Sequence, residues 1–365
     1  MKVFLVAGAR PNFMKIAPIL EEMKKYPADF IPLFIHTGQH YDDRMSGSFL
    51  EDLELPEPDE YLGAGSASHA TQTARIMLAF ERVLVDQKPG LVVVAGDVNS
   101  TLACALVASK MNIPVAHVEA GLRSFDRTMP EETNRVLTDH ISDYLFTTCR
   151  DANENLKKEG ISRRKIHFVG NVMVDSLLKS MRKAHHSKIL KDLGLEGKKY
   201  CLLTLHRPSN VDRKETFQQI LSALDRIQQK VKIIFPAHPR TLKMMERLGL
   251  KTRIKSMKNL ILLEPLGYLD FLRLEEKAEF VITDSGGIQE ESTFFGVPCL
   301  TVRENTERPV TITQGTNTLV GLKAEKLIRE SLEILKGNGK KGKIPELWDH
   351  RVARRIVRVL KRRSM

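Results

Sequence analysis

Charged and imidazole side chains recur in this chain just after short apolar runs. Asp97 follows Val92-Val93-Val94-Ala95-Gly96, Glu119 follows Val115-Ala116-His117-Val118, and His206 follows Leu202-Leu203-Thr204-Leu205. Arg10 follows the run Val3 to Ala7 after Gly8-Ala9, with Lys15 five residues on. Glu131, in Met129-Pro130-Glu131-Glu132, opens a helix, because proline suits the first helical position and acids suit the positive end of the dipole. Carboxylates crowded together raise one another's pKa, so one is kept as an acid while another acts as a base. Such a set could serve proton abstraction, one carboxylate as base and another as acid. Each residue alone has a plain structural explanation, Asp97 as a helix cap and Glu131 as a partner of the dipole. Several of them at strand ends together point to a site.

A second kind of chemistry sits at Thr283-Asp284-Ser285-Gly286-Gly287-Ile288-Gln289-Glu290-Glu291-Ser292, which follows the apolar run Glu279-Phe280-Val281-Ile282 and opens a helix to about Phe295. Two glycines at a strand-to-helix turn let an anion approach the backbone, and the free N–H groups of the first turn point at it. Ser285 adds a hydroxyl. A carboxylate further in, Glu290 or Glu291, is placed for a ribose. The turn therefore suits a nucleoside diphosphate; an ordinary capped helix is the structural alternative. Arg10, Lys15 and Arg308 add positive charge for a departing anion.

The elements that must hold these residues alternate short β-branched runs with amphipathic stretches, the pattern of parallel α/β units. Strands are expected at 2–7, 31–36, 91–95, 114–118, 144–148 and 166–169, then at 200–205, 232–236, 260–263, 279–283 and 298–302. The helical stretch 176–195, ending at Gly194 and Gly197, separates two series. The expectation is two doubly wound domains, whose ligands bind beyond the carboxyl ends of the strands. No dinucleotide fingerprint follows the first strand, and neither a phosphate loop of the Gly-x-x-x-x-Gly-Lys type nor a His-Glu-x-x-His helix occurs. These gaps disfavour NAD chemistry, phosphoryl transfer and zinc hydrolysis, and no cofactor or metal is expected.

The chain has 365 residues, 42% hydrophobic and 28% charged, with a formal charge of +12. No run approaches the roughly 20 apolar residues that span a bilayer, and the first residues read as a strand rather than a signal peptide, so a cytoplasmic protein with no membrane partner is expected. Cys104, Cys149, Cys201 and Cys299 stand singly and are expected to be buried free thiols. A basic surface can bind nucleic acid, but the positive excess concentrates in 351–363, where Val352, Ile356, Val359 and Leu360 keep helical spacing. A docked helix with a solvated basic face is expected, and no nucleic-acid partner.

Taken together, Gly8-x-Arg10-Pro11 with Lys15, His36-Thr37-Gly38-Gln39-His40, Gly96-Asp97-x-Asn99-Ser100, His117-Val118-Glu119-Ala120-Gly121-Leu122-Arg123, Pro130-Glu131-Glu132-x-Asn134-Arg135, His206-Arg207, Asp284-Ser285-Gly286-Gly287-x-Gln289-Glu290-Glu291 and Thr306-Glu307-Arg308-Pro309 resemble the non-hydrolysing UDP-N-acetylglucosamine 2-epimerases, in order from residue 8 to residue 309. The resemblance implies a fold of the glycosyltransferase B type: two Rossmann-like domains facing across a cleft, 1–172 with the returning helix 349–365, and 173–348 binding UDP. It implies redox-free interconversion of UDP-N-acetylglucosamine and UDP-N-acetylmannosamine through a 2-acetamidoglucal, in a homodimer. Carried over by residue, it places UDP on Ser285, Gly286, Gly287, Arg308 and Arg10 with Lys15 nearby, ribose on Glu291 and uracil near Phe271. Asp97, Glu119 and Glu131 become the acid and base groups, and His206 the partner of the leaving phosphate. Gln39, His40, Arg75, Arg207 and His238 are the positions for a second, activating UDP-sugar.

The chain departs from the pattern at Asn12, where an acid often follows Arg-Pro, at Ser209 in His206-Arg207-Pro208-Ser209-Asn210, and at Leu266. The motif 36–42 is also similar to epimerases of a UDP-2,3-diacetamido uronate sugar, for which Arg44 or Met45-Ser46 would meet a carboxylate. A hydrolysing epimerase releasing N-acetylmannosamine and UDP is a further alternative.

Overall fold

In the computed structural model of the chain, residues 1–39 and 54–362 are described, apart from the side chain of Arg10. The expectations for Arg10 as a ligand, for His40 and for Arg44 and Met45-Ser46 therefore lie outside the described residues. The chain divides into two compact units, one of Met1–Ser180 with Glu346–Met365, the other of Met181–Pro345.

Unit 1 is a seven-stranded, all-parallel sheet of β1 (Lys2–Ala7), β2 (Ile31–His36), β3 (Glu60–Tyr61), β4 (Leu91–Ala95), β5 (Val115–Ala120), β6 (Tyr144–Thr147) and β7 (Ile166–Phe168), in the order β3-β2-β1-β4-β5-β6-β7. Helices cover both faces of such a sheet, so its strands read as unbroken apolar runs; Leu91-Val92-Val93-Val94-Ala95 is buried throughout. Phe4, Val6, Ile76, Phe80, Leu84 and Val92 form the core on one side. At about 2 kcal/mol per fully buried large side chain, these contacts hold the strand ends to a fixed frame.

Unit 2 repeats the plan with β8 (Tyr200–Thr204), β9 (Lys232–Pro236), β10 (Leu260–Leu263), β11 (Phe280–Thr283), β12 (Cys299–Thr301) and β13 (Asn317–Leu319), in the order β10-β9-β8-β11-β12-β13. Each order reverses direction once, between β1 and β4 and between β8 and β11. Those reversals open the crevices where doubly wound sheets hold ligands. The expected strands are present to within two residues at their ends. Strands β3 and β13, of two and three residues, are too short to show a period in the sequence.

Helices carry the remaining functional segments: α1 (Arg10–Met23), α2 (His69–Gln87), α3 (Asn99–Lys110), α4 (Pro130–Ile141), α5 (Met173–Ala184), α6 (Tyr268–Lys277), α7 (Gly286–Phe295) and α8 (Val352–Lys361). The basic tail is built into unit 1 through α8, which buries Val352, Ala353, Ile356, Val357 and Leu360. Arg355 donates to the carbonyls of Val169 and Leu347, both at 2.7 Å, and the Trp348 indole donates to Thr148 O at 2.9 Å. The four cysteines are free and buried. Among the described residues, no helix is long and apolar enough to cross a membrane.

Asp175 on α5 accepts from the backbone N–H groups of Val352 and Ala353 at the start of α8. Burial pushes its carboxyl up to about 7, against the pull of those two donors. A carboxyl whose folded pKa is raised binds more protons in the folded chain, so its ionisation costs stability as pH rises from about 4 to about 7. Asp175→Asn keeps an acceptor without the charge. It is expected to melt a few degrees above the wild type at pH 8, with the difference narrowing as the pH falls and closing near pH 4 in thermal scans across that range.

Candidate active site

Unit 1 gathers its functional groups where β1, β4 and β5 end. The turn after β1 is tight because Gly8 has no side chain: a Cβ there would lie 2.2 Å from Ser100 Oγ and 2.3 Å from Thr37 Oγ1. Asn12, in the first turn of α1, accepts from Ala9 N at 3.1 Å and donates to Ala95 O at 2.6 Å. An acid could do the first but not the second, which gives a physical reason for asparagine at this departure from the family pattern. Asn12 thereby ties the end of β4 to the start of α1.

Glu119 does not follow β5 as expected from the sequence; it lies inside it. In the register with β6, Val118 pairs with Phe146 and Ala120 with Thr147, leaving Glu119 as an extra residue. Its φ is +74°, a left-handed conformation that costs a non-glycine residue roughly 1–2 kcal/mol. A bulge re-aims a side chain, and here it sends a carboxylate to Lys15 Nζ at 2.7 Å, with both residues about 5% exposed or less. Lys15, expected among the anion contacts, is committed to Glu119 in this structure.

Asp97 is not a helix cap either, since α3 is capped by Val98 and begins at Asn99. Its carboxylate pairs with Arg135, whose other amino group pairs with Glu132. Glu132 is 5% exposed and accepts from Ser124 N at 3.0 Å, Phe125 N at 2.8 Å and Ser124 Oγ at 2.9 Å. This chain of contacts connects Asp97 to the loop 122–129 and to the first turn of α4. Glu131 stands beside it, half-buried, with Pro130 at the start of the helix as expected. The three candidate carboxylates thus differ: two are held by cations, and Glu131 meets no side-chain partner among the described residues.

In unit 2, Asp284 organises the end of β11. It is fully buried and accepts from His206 N at 3.0 Å, Arg207 N at 2.9 Å and Asn210 Nδ2 at 2.9 Å, and it faces His206 Nδ1 at 2.9 Å. Burial alone would raise its carboxyl, but His206 and the backbone donors outweigh it and hold it below the usual range. The end of β8 is so fixed to the end of β11, and His206 is oriented by a carboxylate. Asn210 also donates to Val302 O at 3.0 Å, while Ser209, where an acid often stands, is exposed.

The turn Ser285-Gly286-Gly287 leads into α7 as expected, with half-buried residues and no side-chain cap on the helix. A Cβ on Gly286 would lie 2.5 Å from Arg308 Nη1, so glycine admits that guanidinium. Arg308 is paired with Glu290 at 2.9 Å and with Glu307 at 2.5 Å. Burial would raise the Glu307 carboxyl, but Arg308 and Arg303 outweigh it and keep it far below the usual range. Gln289 links the turn to the strap 306–308, donating to Ser285 O at 3.1 Å and accepting from Thr306 Oγ1 at 2.7 Å. Glu291 accepts from the Tyr268 hydroxyl at 2.8 Å. Beside it Glu275 is fully buried, and burial with the Glu291 charge pushes its carboxyl well above the ordinary range. A sequence reading finds neither Glu275 nor Tyr268, because both look like ordinary positions of the helix α6.

Other candidates are placed less centrally. Phe271 packs partly buried against the core of unit 2, as does Leu266. Of the activator candidates, Gln39 is 7% exposed and accepts from Ser100 N at 3.0 Å and Ser100 Oγ at 2.6 Å, a packing role inside unit 1. Arg75 is exposed in unit 1, and Arg207 and His238 belong to unit 2, where the His238 ring lies 5.7 Å from that of His206. His36 accepts from Gly38 N at 2.8 Å, and burial pushes its imidazole down to about 4, so it is neutral.

Two doubly wound units, one with carboxylates at its strand ends and one with a glycine turn at a helix start, define an enzyme of the nucleotide-sugar class. A family model described as UDP-N-acetylglucosamine 2-epimerase matches residues 22–361. The chain is 46% identical over 365 residues to UDP-N-acetylglucosamine 2-epimerase of Methanocaldococcus jannaschii, covering 99% of each chain. It is 42% identical over 335 residues to UDP-2,3-diacetamido-2,3-dideoxy-D-glucuronate 2-epimerase of Pseudomonas aeruginosa, covering 91% of each. The crystal structure of the Methanocaldococcus jannaschii enzyme in complex with UDP-GlcNAc and UDP superposes with a TM-score of 0.91 at 45% identity, over 99% of this chain and 100% of that one. The chain belongs to the UDP-N-acetylglucosamine 2-epimerase family.

Glu132 carries three donors and an ion pair in a buried place. Replacing it by glutamine turns an N–H₂ toward N–H groups, and leaving such a network half-satisfied costs on the order of 3 kcal/mol. Glu132→Gln is expected to unfold at clearly lower urea concentration than the wild type.

Proposed function

We propose that the protein interconverts UDP-N-acetylglucosamine and UDP-N-acetylmannosamine by inverting C2, without a redox cofactor. The observation that carries this reading is the bulge at Glu119: a strained, buried carboxylate is sustained where the sheet itself has no use for it. A proton on C2 of the sugar is weakly acidic, because no carbonyl adjoins it. Inversion therefore proceeds by elimination. A carboxylate takes the C2 proton, the C1–O bond breaks with its electron pair going to the β-phosphate oxygen, and 2-acetamidoglucal with UDP results. Readdition delivers a proton to the other face of C2 and rebuilds the C1–O bond. Asp97, Glu119 and Glu131 supply the acid and base, each such group contributing about a hundredfold to ten-thousandfold.

UDP is held in this reading by Ser285, Gly286, Gly287 and Arg308, with the ribose on Glu291, uracil near Phe271, and Arg10 and Lys15 supplying positive charge. His206, oriented by Asp284, serves the leaving phosphate. A second UDP-sugar at Arg75, Arg207 and His238 would act as an activator. The domain boundaries at 172/173 and 348/349 and a cytoplasmic location belong to the same proposal. The 42% identity to the Pseudomonas aeruginosa enzyme favours one second reading, a 2,3-diacetamido uronate substrate.

A homodimer completes the proposal. Helices α2, α3 and α4 lie side by side in unit 1. Their outer faces leave Leu78 63%, Val85 53% and Leu137 47% exposed, beside a hollow lined by Ala70, Ala74, Met77 and Thr133. A second copy of the chain would cover this apolar surface.

Incubation in heavy water with each UDP-sugar, followed by NMR, tests the activity. A UDP-linked epimer carrying deuterium at C2 is expected from UDP-N-acetylglucosamine; free N-acetylmannosamine would show a hydrolysing enzyme, and turnover of only the uronate sugar would favour the second reading. Asp97→Asn and Glu131→Gln should abolish turnover while UDP affinity stays within about threefold, under roughly 1 kcal/mol. Loss of UDP binding in either variant would instead assign it a structural role. For the homodimer, Leu78→Glu combined with Leu137→Glu should halve the mass measured by light scattering; an unchanged dimer would place the interface elsewhere.

A further inference from the structure

His117 lies in the middle of β5 with no exposed surface, two residues before the bulge. Its Nδ1 is 2.7 Å from Asp139 Oδ1 and its Nε2 is 2.8 Å from the carbonyl oxygen of Gly96. A carbonyl oxygen only accepts, so Nε2 carries a proton. The other carboxylate oxygen of Asp139 accepts from Gly121 N at 3.0 Å and lies 2.7 Å from Arg123 Nη2. Burial would raise the Asp139 carboxyl, but His117 and Arg123 outweigh it and hold it below the usual range. The ring is thus held at both nitrogens, by the Asp139 carboxylate on one side and the Gly96 carbonyl on the other.

Such a ring, with no exposed surface, does not reach a substrate. What it does is mechanical. One N–H fixes the carbonyl of Gly96, at φ +69°, immediately before Asp97. Through Asp139 the other end fixes the N–H of Gly121, at φ +80°, two residues after Glu119. The far side of that second turn is equally tight: a Cβ on Gly121 would lie 2.5 Å from Ala152 O, and Asn155 donates to Gly121 O at 2.9 Å. Asp139 is also on α4, whose first turn carries Glu131 and Glu132. One buried ion pair thus meets all three elements that present the carboxylates Asp97, Glu119 and Glu131.

We infer that the Asp139–His117 pair is the positioning element of this enzyme, a ring held at both nitrogens and its carboxylate that hold the turns of Asp97 and Glu119 and the helix of Glu131 in one arrangement. The inference rests on the proposed roles of those three carboxylates, but the pair itself can be examined without turnover. A misplacement of about 1 Å at reacting groups costs on the order of a hundredfold in rate, whereas the glycine turn for UDP lies in the other unit.

The test has two arms. Protein labelled with nitrogen-15 in its histidine rings, with His117 assigned by comparison with His117→Gln, should show an Nε2 proton protected from exchange with solvent. An Nε2 without a proton, or one whose proton exchanges as in an exposed ring, would overturn the inference. In the second arm, Asp139→Asn and His117→Gln should lower kcat about a hundredfold, while KM and the dissociation constant of UDP stay within about twofold. Wild-type kcat in either folded variant, or a loss that only follows the fraction unfolded in thermal melts, would leave the pair no positioning role. Should the wild type epimerise no UDP-sugar, the proposed activity fails, and the ring spectrum still decides whether the pair makes these contacts.

Discussion

A charged group removed from water must be met by an opposite charge or by hydrogen bonds, and the functional architecture of this chain is an answer to that demand. Carboxylates stand in buried or half-buried places at strand ends and on the segments that follow them. Each of them then dictates a neighbour: Lys15 for Glu119, Arg135 for Asp97, His117 and Arg123 for Asp139, Arg308 for Glu290 and Glu307. Pairing of this kind adds little net stability, because desolvation offsets the attraction. Its effect is geometric. A carboxylate with its partner fixed has few orientations, and the segments bearing the two partners are fixed with it.

The two units solve the problem in different ways. In unit 1 the charges form several sets, Lys15 with Glu119, Arg135 with Asp97 and Glu132, and Asp139 with His117 and Arg123, each tying together segments far apart in sequence. In unit 2 a single buried acid, Asp284, gathers the ends of β8 and β11 with four contacts, and the helix α7 then starts from a fixed point. Glu275 is the exception: a fully buried carboxyl with an acid as its neighbour, which is tolerated by staying protonated.

Most of the frame is legible in the sequence, because buried parallel strands leave apolar runs and strand-to-helix turns leave glycine and proline. The positions of Asp97, Glu131, His206 and the turn at Ser285 follow from that alone. What is not legible is the pairing. Nothing in a single sequence says that Lys15 turns to Glu119 rather than to an anion, since the contact spans more than a hundred residues and depends on a bulge. The bulge itself is silent: one additional residue in Val115–Ala120 changes no composition and breaks no period that a six-residue strand is long enough to display. In the sequence Asn12 is only a departure from a pattern, and the two-sided hydrogen bonding that makes asparagine fit there appears only with Ala95 beside it. Gln39 shows the opposite case, a polar residue in a motif with binding character that the fold uses for its own packing.

Glu119 has a consequence for descent as well as for chemistry. Measured against β6, it is the residue the sheet could lose: without it Val118 and Ala120 would follow one another in step with Phe146 and Thr147, and the strand would be regular. A deletion of this one residue would leave a regular strand of five. A related chain with that shorter strand would keep the scaffold and lack the carboxylate to which the proposed reaction gives acid or base chemistry, recognisable by length before any residue was compared.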